Sequence, residues 1–199
     1  ANVNSQHPTT LMTPLHCAAQ KAKGGSQVHR DILELLGKYD AKDLTNANGL
    51  TPLCLAATSP DGLHSVRTLI EMGMHVNPTG TRDGVTPLMK ACSVVSVHAA
   101  QVHGRPNNRD VMAPIVKRLL DAGADVNAQM TTSKNTALHL AASRGSLQLC
   151  QALMEKGADA TLKDRGGLTA IDVAQRNRYR EVVVFIQGFD DGDEWVPVE

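Results

Sequence analysis

Asn135-Thr136-Ala137-Leu138-His139-Leu140-Ala141-Ala142 is the stretch that decides the fold, because it returns four more times in altered form. The copies are Met12-Thr13-Pro14-Leu15-His16-Cys17-Ala18-Ala19, Leu50-Thr51-Pro52-Leu53-Cys54-Leu55-Ala56-Ala57, Val85-Thr86-Pro87-Leu88-Met89-Lys90-Ala91-Cys92 and Leu168-Thr169-Ala170-Ile171-Asp172-Val173-Ala174-Gln175. Their threonines, Thr13, Thr51, Thr86, Thr136 and Thr169, stand 38, 35, 50 and 33 residues apart. Self-similarity at such periods is the signature of stacked structural units.

Each copy reads as the start of a helix. Threonine is a good N-cap, and proline in the first helical position gives up no hydrogen bond. The small alanine pair lets a neighbouring helix come close. A second apolar helix follows each anchor, at Ile32 to Leu36, Val66 to Met72, Ile115 to Ala122, Leu149 to Lys156 and Val182 to Gln187. Gly73, Gly123, Gly157 and Gly188 close four of these, where a left-handed cap suits glycine. The chain then runs Met74-His75-Val76-Asn77, Ala124-Asp125-Val126-Asn127 or Ala158-Asp159-Ala160-Thr161. A polar turn such as Arg82-Asp83-Gly84 or Arg165-Gly166-Gly167 leads to the next threonine.

This order of turn, helix and helix resembles the ankyrin repeat. The TPLH-type anchors, the GADVN-type tails and a 33-residue spacing occur together. The resemblance implies an all-α solenoid of stacked antiparallel helix pairs with projecting β-hairpin loops. It covers residues 1–189, with repeats near 9–43, 46–79, 81–129, 131–163 and 164–189, followed by an acidic tail at 190–199 that is expected to be flexible. One such unit cannot bury its own apolar face, so its neighbours supply the core. Ala1-Asn2-Val3-Asn4 resembles the tail of an earlier repeat, which predicts a segment of a longer protein.

Against a 33-residue repeat, the surplus residues can be placed. Five lie in the first repeat, around Lys21 to Gln27, between its helices. Two lie in the second, near Ser59-Pro60-Asp61 and Pro78-Thr79-Gly80. Seventeen lie in the third, sixteen of them between Ser93 and Asp110. Within this insertion, 94–109, the stretch Val94 to His103 has no helix breaker, whereas Gly104 to Asp110 is rich in Gly, Pro and Asn. The first part is therefore expected to prolong the inner helix from Pro87 to about His103, on the order of 25 Å, and the second to be a loop; the rival reading is a disordered loop throughout 94–109. Tyr39 stands where the closing glycine of the first repeat is expected, predicting an altered turn. Lys134 replaces the hairpin glycine of the fourth, predicting a looser hairpin.

Composition narrows the function. Twenty basic residues balance twenty acidic ones, so the formal charge is zero and direct nucleic-acid binding is not expected. No apolar run reaches the roughly 18 residues of a membrane span. Cys17, Cys54, Cys92 and Cys150 form no CxxC pair and fall at packing positions of helices. They predict reduced core thiols in an intracellular protein, cytoplasmic or nuclear. No catalytic or phosphate-binding motif is present, and no cofactor is expected. His98 and His103 do not share a helical face, so they do not read as metal ligands. His16 and Cys17, adjacent on a helix, point about 100° apart and make no dyad. In ankyrin repeats the anchor histidine hydrogen-bonds between repeats, which implies that role for His16 and His139.

The resemblance therefore implies a non-catalytic module that binds another protein or a peptide motif, as a monomeric array. Its contact surface would comprise hairpin tips and exposed inner-helix positions. The hairpin candidates are Asn46, Asn48, Thr81, Arg82, Asp83, Thr131, Thr132, Ser133, Lys163, Asp164 and Arg165. The inner-helix candidates are Gln20, Thr58, Ser93 and Ser143, with Arg105 and Arg109 in the insertion. Two other readings stand beside it. In one, the array recruits substrate for, or regulates, a larger enzyme or channel. In the other it resembles the ankyrin inhibitors of Rel-type transcription factors, from Asn127-Ala128-Gln129-Met130 and the acidic tail. The asparaginyl hydroxylase of ankyrin tails favours Leu eight residues earlier and an acid two earlier. Asn127, with Leu119 and Asp125, fits it, and Asn77, with Leu69 and His75, fits less well.

Overall fold

The structure, a computed structural model, describes residues 2–20, 27–94 and 111–190. Within them ten α-helices form five antiparallel pairs: α1 (Pro14–Gln20) with α2 (Gln27–Lys38), α3 (Pro52–Ala56) with α4 (Leu63–Glu71), α5 (Pro87–Ser93) with α6 (Ala113–Asp121), α7 (Ala137–Ser143) with α8 (Leu147–Glu155), and α9 (Ala170–Arg176) with α10 (Arg180–Asp190). Odd-numbered helices pack on odd and even on even from one repeat to the next, which gives two stacked layers.

The threonines do what their position predicts. Thr51, Thr86, Thr136 and Thr169 each accept, through Oγ1, the backbone N–H three residues on, at 3.2–3.4 Å. Thr13 does the same for His16 at 3.3 Å. Two residues after the first four of the threonines come Leu15, Leu53, Leu88 and Leu138, all fully buried. Burying each contributes about 1.5–3 kcal/mol. The even layer contributes Leu33, Leu69, Leu119, Leu153 and Ile186.

Three expectations are corrected. The inner helix of the third repeat stops at Ser93, because Val94 is already extended (φ −72°, ψ 127°) and leans on the core. The continuation to His103 therefore fails at its first residue. The rest of the insertion, Arg105 and Arg109 included, lies outside the described residues. The first repeat keeps an ordinary closing turn, with Asp40 (φ 56°) as its left-handed residue in place of Tyr39. The Ala41 N–H reaches Leu36 O at 3.2 Å, as Ala124 reaches Leu119 O and Ala158 reaches Leu153 O. Gly188 closes nothing, since α10 runs through it to Asp190.

The hairpins are tied together along one edge. The Ala47 N–H donates to Thr10 O at 2.9 Å, Thr131 to Asp83 O at 2.8 Å and Arg165 to Ser133 O at 2.8 Å. Lys134 adopts φ 59° in the glycine position, and the fourth hairpin, though one residue wider, is still closed by Met130 N–H to Asn135 O at 3.0 Å. Gly49 has no substitute: at φ 69° any Cβ would run into the Arg82 backbone nitrogen of the next hairpin.

Candidate interaction surface

Two side-chain ladders hold neighbouring repeats in register. In the first, the Thr13 N–H donates to His16 Nδ1 at 3.1 Å, so the ring carries its proton on Nε2 and donates to Leu50 O at 3.0 Å. His139 repeats this, taking Thr136 N–H at 3.3 Å and reaching Leu168 O at 3.1 Å. Burial drives the His16 pKa below its ordinary value, against a smaller opposing effect of the Leu50 hydrogen bond. In the second repeat Cys54 takes the histidine's place, its Sγ 4.0 Å from Val85 O. Desolvation raises the Cys54 thiol and pushes the Cys150 thiol up to about 12, so both are inert at neutral pH.

The second ladder uses asparagine. Asn77 donates to Gly123 O at 2.8 Å and accepts the Asp125 N–H at 2.8 Å. Asn127 donates to Gly157 O at 3.0 Å and accepts the Asp159 N–H at 2.8 Å. Asn4 does the same to Asp40 O and the Lys42 N–H, at 3.1 and 2.7 Å. Residues 2–4 are thus placed as the tail of a repeat.

With these groups committed to the scaffold, the exposed remainder is the surface open to a partner. Asn48, Arg82, Thr131, Thr132, Lys163, Arg165 and Gln20 are exposed; Asp83, Ser133, Asp164, Thr58, Ser93 and Ser143 are half-buried. Asn46 and Thr81 are only 8% exposed, which corrects their assignment as contact residues. The Asn46 carboxamide oxygen accepts from the Asn48 and Leu50 N–H groups and shapes the hairpin. Thr58, Ser93 and Ser143 donate their hydroxyls to Leu55, Lys90 and Leu140 carbonyls one turn back, at 2.7–2.8 Å, so those carbonyls and not the solvent hold them.

The sequence reading missed the positions four residues after each threonine. They lie three before the candidates of the inner helices, hence on the same side. Here stand Cys17, which is exposed and so corrects its assignment as a core thiol, then Lys90, Leu140 and Val173, all half-buried, whereas Leu55 of the second repeat is buried. Leu140, Ser143, Val173, Arg176 and Asn177 line a groove of about 270 Å³ between α7 and α9, with Asp164 and Leu168 of the hairpin at its rim.

This face is basic although the chain is neutral. In the hairpins and inner helices of the last three repeats, Arg82, Lys90, Lys134, Arg144, Lys163, Arg165 and Arg176 face only Asp83, Asp164 and Asp172. Two of those carboxylates are already engaged. Asp164 accepts the Gly166 and Leu168 N–H groups. Asp172 accepts the Thr169 N–H and hydroxyl at 2.8 Å, which lowers its pKa.

Comparison with known proteins agrees with this architecture. A family model described as ankyrin repeats in three copies matches residues 25–102 and 97–192. The chain belongs to the ankyrin-repeat family. Membership places it among protein-interaction modules. It is 32% identical over 151 residues to ankyrin repeat and SAM domain-containing protein 6 of Danio rerio, covering 69% of this chain and 19% of that protein. It is 31% identical over 141 residues to the B-cell lymphoma 3 protein homolog of Mus musculus, covering 71% and 28%. It is 31% identical over 186 residues to NF-kappa-B inhibitor zeta of Mus musculus, covering 82% and 25%. The chain thus spans 19–28% of these relatives' lengths.

Proposed function

We propose that this ankyrin array is a non-catalytic module that binds an acidic, partly apolar segment of another protein along the hairpin tips and inner helices of its last three repeats. The observation that carries the reading is the groove lined by Leu140, Val173 and Arg176, on a face where Lys163 and Arg165 are also exposed. An apolar strip supplies affinity, and the surrounding charge supplies orientation and on-rate. A rigid array also spares the ordering entropy that a flexible receptor would lose. Arg105 and Arg109 of the insertion extend the same charge preference.

The test is selection from a peptide-display library, followed by calorimetry on the chain and on R176E, L140D and a form lacking 94–109. Acidic-apolar peptides should be enriched, and R176E and L140D should each weaken them about tenfold or more. Enrichment of basic peptides, or indifference to both substitutions, would overturn the reading. Loss of affinity on deleting 94–109, with cooperative melting retained, would make the insertion part of the binding face.

The short span relative to the relatives favours a second reading, in which the array recruits a substrate to, or regulates, a larger protein. A catalytic or channel domain in the full-length chain would support it. We further propose Asn127 as a hydroxylation site and Asn77 as a poorer one. The Asn127 amide is half-buried and bonded to the next repeat, so modification requires local opening of that tail. Absence of a mass increase of one oxygen after incubation with an asparaginyl hydroxylase would remove the idea.

A further inference from the structure

The fifth repeat carries an apolar residue where its siblings are polar. Aligned on their capping turns, the first four even helices place Glu34, Arg67, Lys117 and Gln151 at one outward position, and α10, 33 residues on from α8, places Val184 there, 60% exposed. Nothing in repeat-to-repeat packing calls for a valine at that site. Beside it, Tyr179 is 38% exposed and held firmly, because its ring lies over Gly145, where a Cβ would collide with it. Arg178 takes the place of that glycine in the next repeat and is fixed at φ 65°. Gln175, Arg178, Tyr179, Arg180, Val183 and Val184 together line a groove of about 550 Å³. It is an apolar slot with two guanidinium groups at its edge and one neighbouring acid, Glu181.

The sequence just past α10 is complementary to it. Asp191, Asp193 and Glu194 precede Trp195, and Val196 and Val198 follow. The reach is sufficient. Val184 lies six residues before the end of α10, about 9 Å along the helix. Trp195 lies five residues beyond that end, so an extended link spans up to about 17 Å.

We infer that the chain's own segment 191–199 docks in the α9–α10 groove, with Trp195 against Tyr179, Val183 and Val184 and the acids beside Arg178 and Arg180. The segment would cover the apolar outer face of the fifth repeat. The aromatic side chain supplies the buried area and the charges fix its direction.

Trp195 is the single tryptophan, so its emission reports docking directly. In the 199-residue chain it should be blue-shifted and shielded from acrylamide, relative to a peptide of residues 191–199, at every protein concentration. V184D should weaken docking about tenfold, and R178E/R180E about fivefold. Both variants change exposed residues, and unchanged circular dichroism would confirm their folding. Emission identical to the free peptide, or unmoved by both variants, would overturn the inference. So would shielding that grows with protein concentration, which would assign the groove to a second copy. Because this groove shares no lining residue with the one at Leu140 and Val173, L140D and V184D separate the two, and peptide binding there and Trp195 docking fail or stand separately.

Discussion

The first and fourth repeats share an anchor and a closing turn and diverge in the outward cover of their second helices. Thr13 with His16 and Thr136 with His139 make the same capping and bridging bonds to within a few tenths of an ångström. Their second helices differ sharply. In α8, Leu149 is buried against the preceding repeat; at the same place in α2, Ile32 is 40% exposed. Val28, Leu35 and Tyr39 continue an apolar stripe along α2 at 62%, 53% and 67% exposure. The corresponding residues of α4 and α6, Ser65 and Ile115, are buried. The stripe is therefore the surface by which an even helix meets the one before it. The inner helix owes its shape to its own sequence, whereas the outer helix depends on what stands next to it.

The largest test of that contrast compares Leu149→Ala with Ile32→Ala. The first should cost about 3 kcal/mol in urea unfolding. The second should cost under about 1 kcal/mol, since little area leaves water there. Equal losses would mean that α2 is covered. Next in size, Thr13→Ala and Thr136→Ala should each cost about 1 kcal/mol, because the caps are alike; a marked difference would break the claim that inner helices are autonomous.

The closing turns give a smaller and opposite pair. Asp40→Gly should stabilise by roughly 0.5–1 kcal/mol by relieving a left-handed residue, and Gly157→Ala should destabilise by a similar amount. Melting temperatures would show both. The smallest effect is one of pH. His16 is buried neutral, with its pKa below the unfolded value of 6.5, so the unfolded chain binds the extra proton. Its contribution is complete above pH 6.5 and is lost as pH falls below that value. His16→Gln should flatten that part of the stability profile, and a profile with the same slope would contradict the assignment.

The threonine anchors, the alanine pairs and Gly73, Gly123 and Gly157 were legible in the sequence, since each acts through its own backbone. What escaped was set by neighbours or by phase. Tyr39 stood where a fixed spacing expected the turn, but the left-handed residue is Asp40, two past the end of α2 as Gly157 is two past the end of α8. Val94 belongs to no breaker class, yet it is drawn out of the helix while packing on the core. Asn46 looked like a loop tip until its carboxamide proved to be bonded inward. Cys17, Leu140 and Val173 lie in an apolar pattern, and only the packing of the next repeat decides which of them stays uncovered.

The asparagine ladder has a consequence for how such chains arise. Asn4, Asn77 and Asn127 each grip a carbonyl and an amide N–H two residues further on, in turns whose residues are Asp40 and Lys42, Gly123 and Asp125, and Gly157 and Asp159. The grip reads the shape of a backbone and ignores the side chains. A repeat copied, lost or exchanged by recombination therefore finds a ready socket on this edge, without compensating mutation in its new neighbour. Lineages can lengthen or reorder the array first and adjust its apolar seams afterwards.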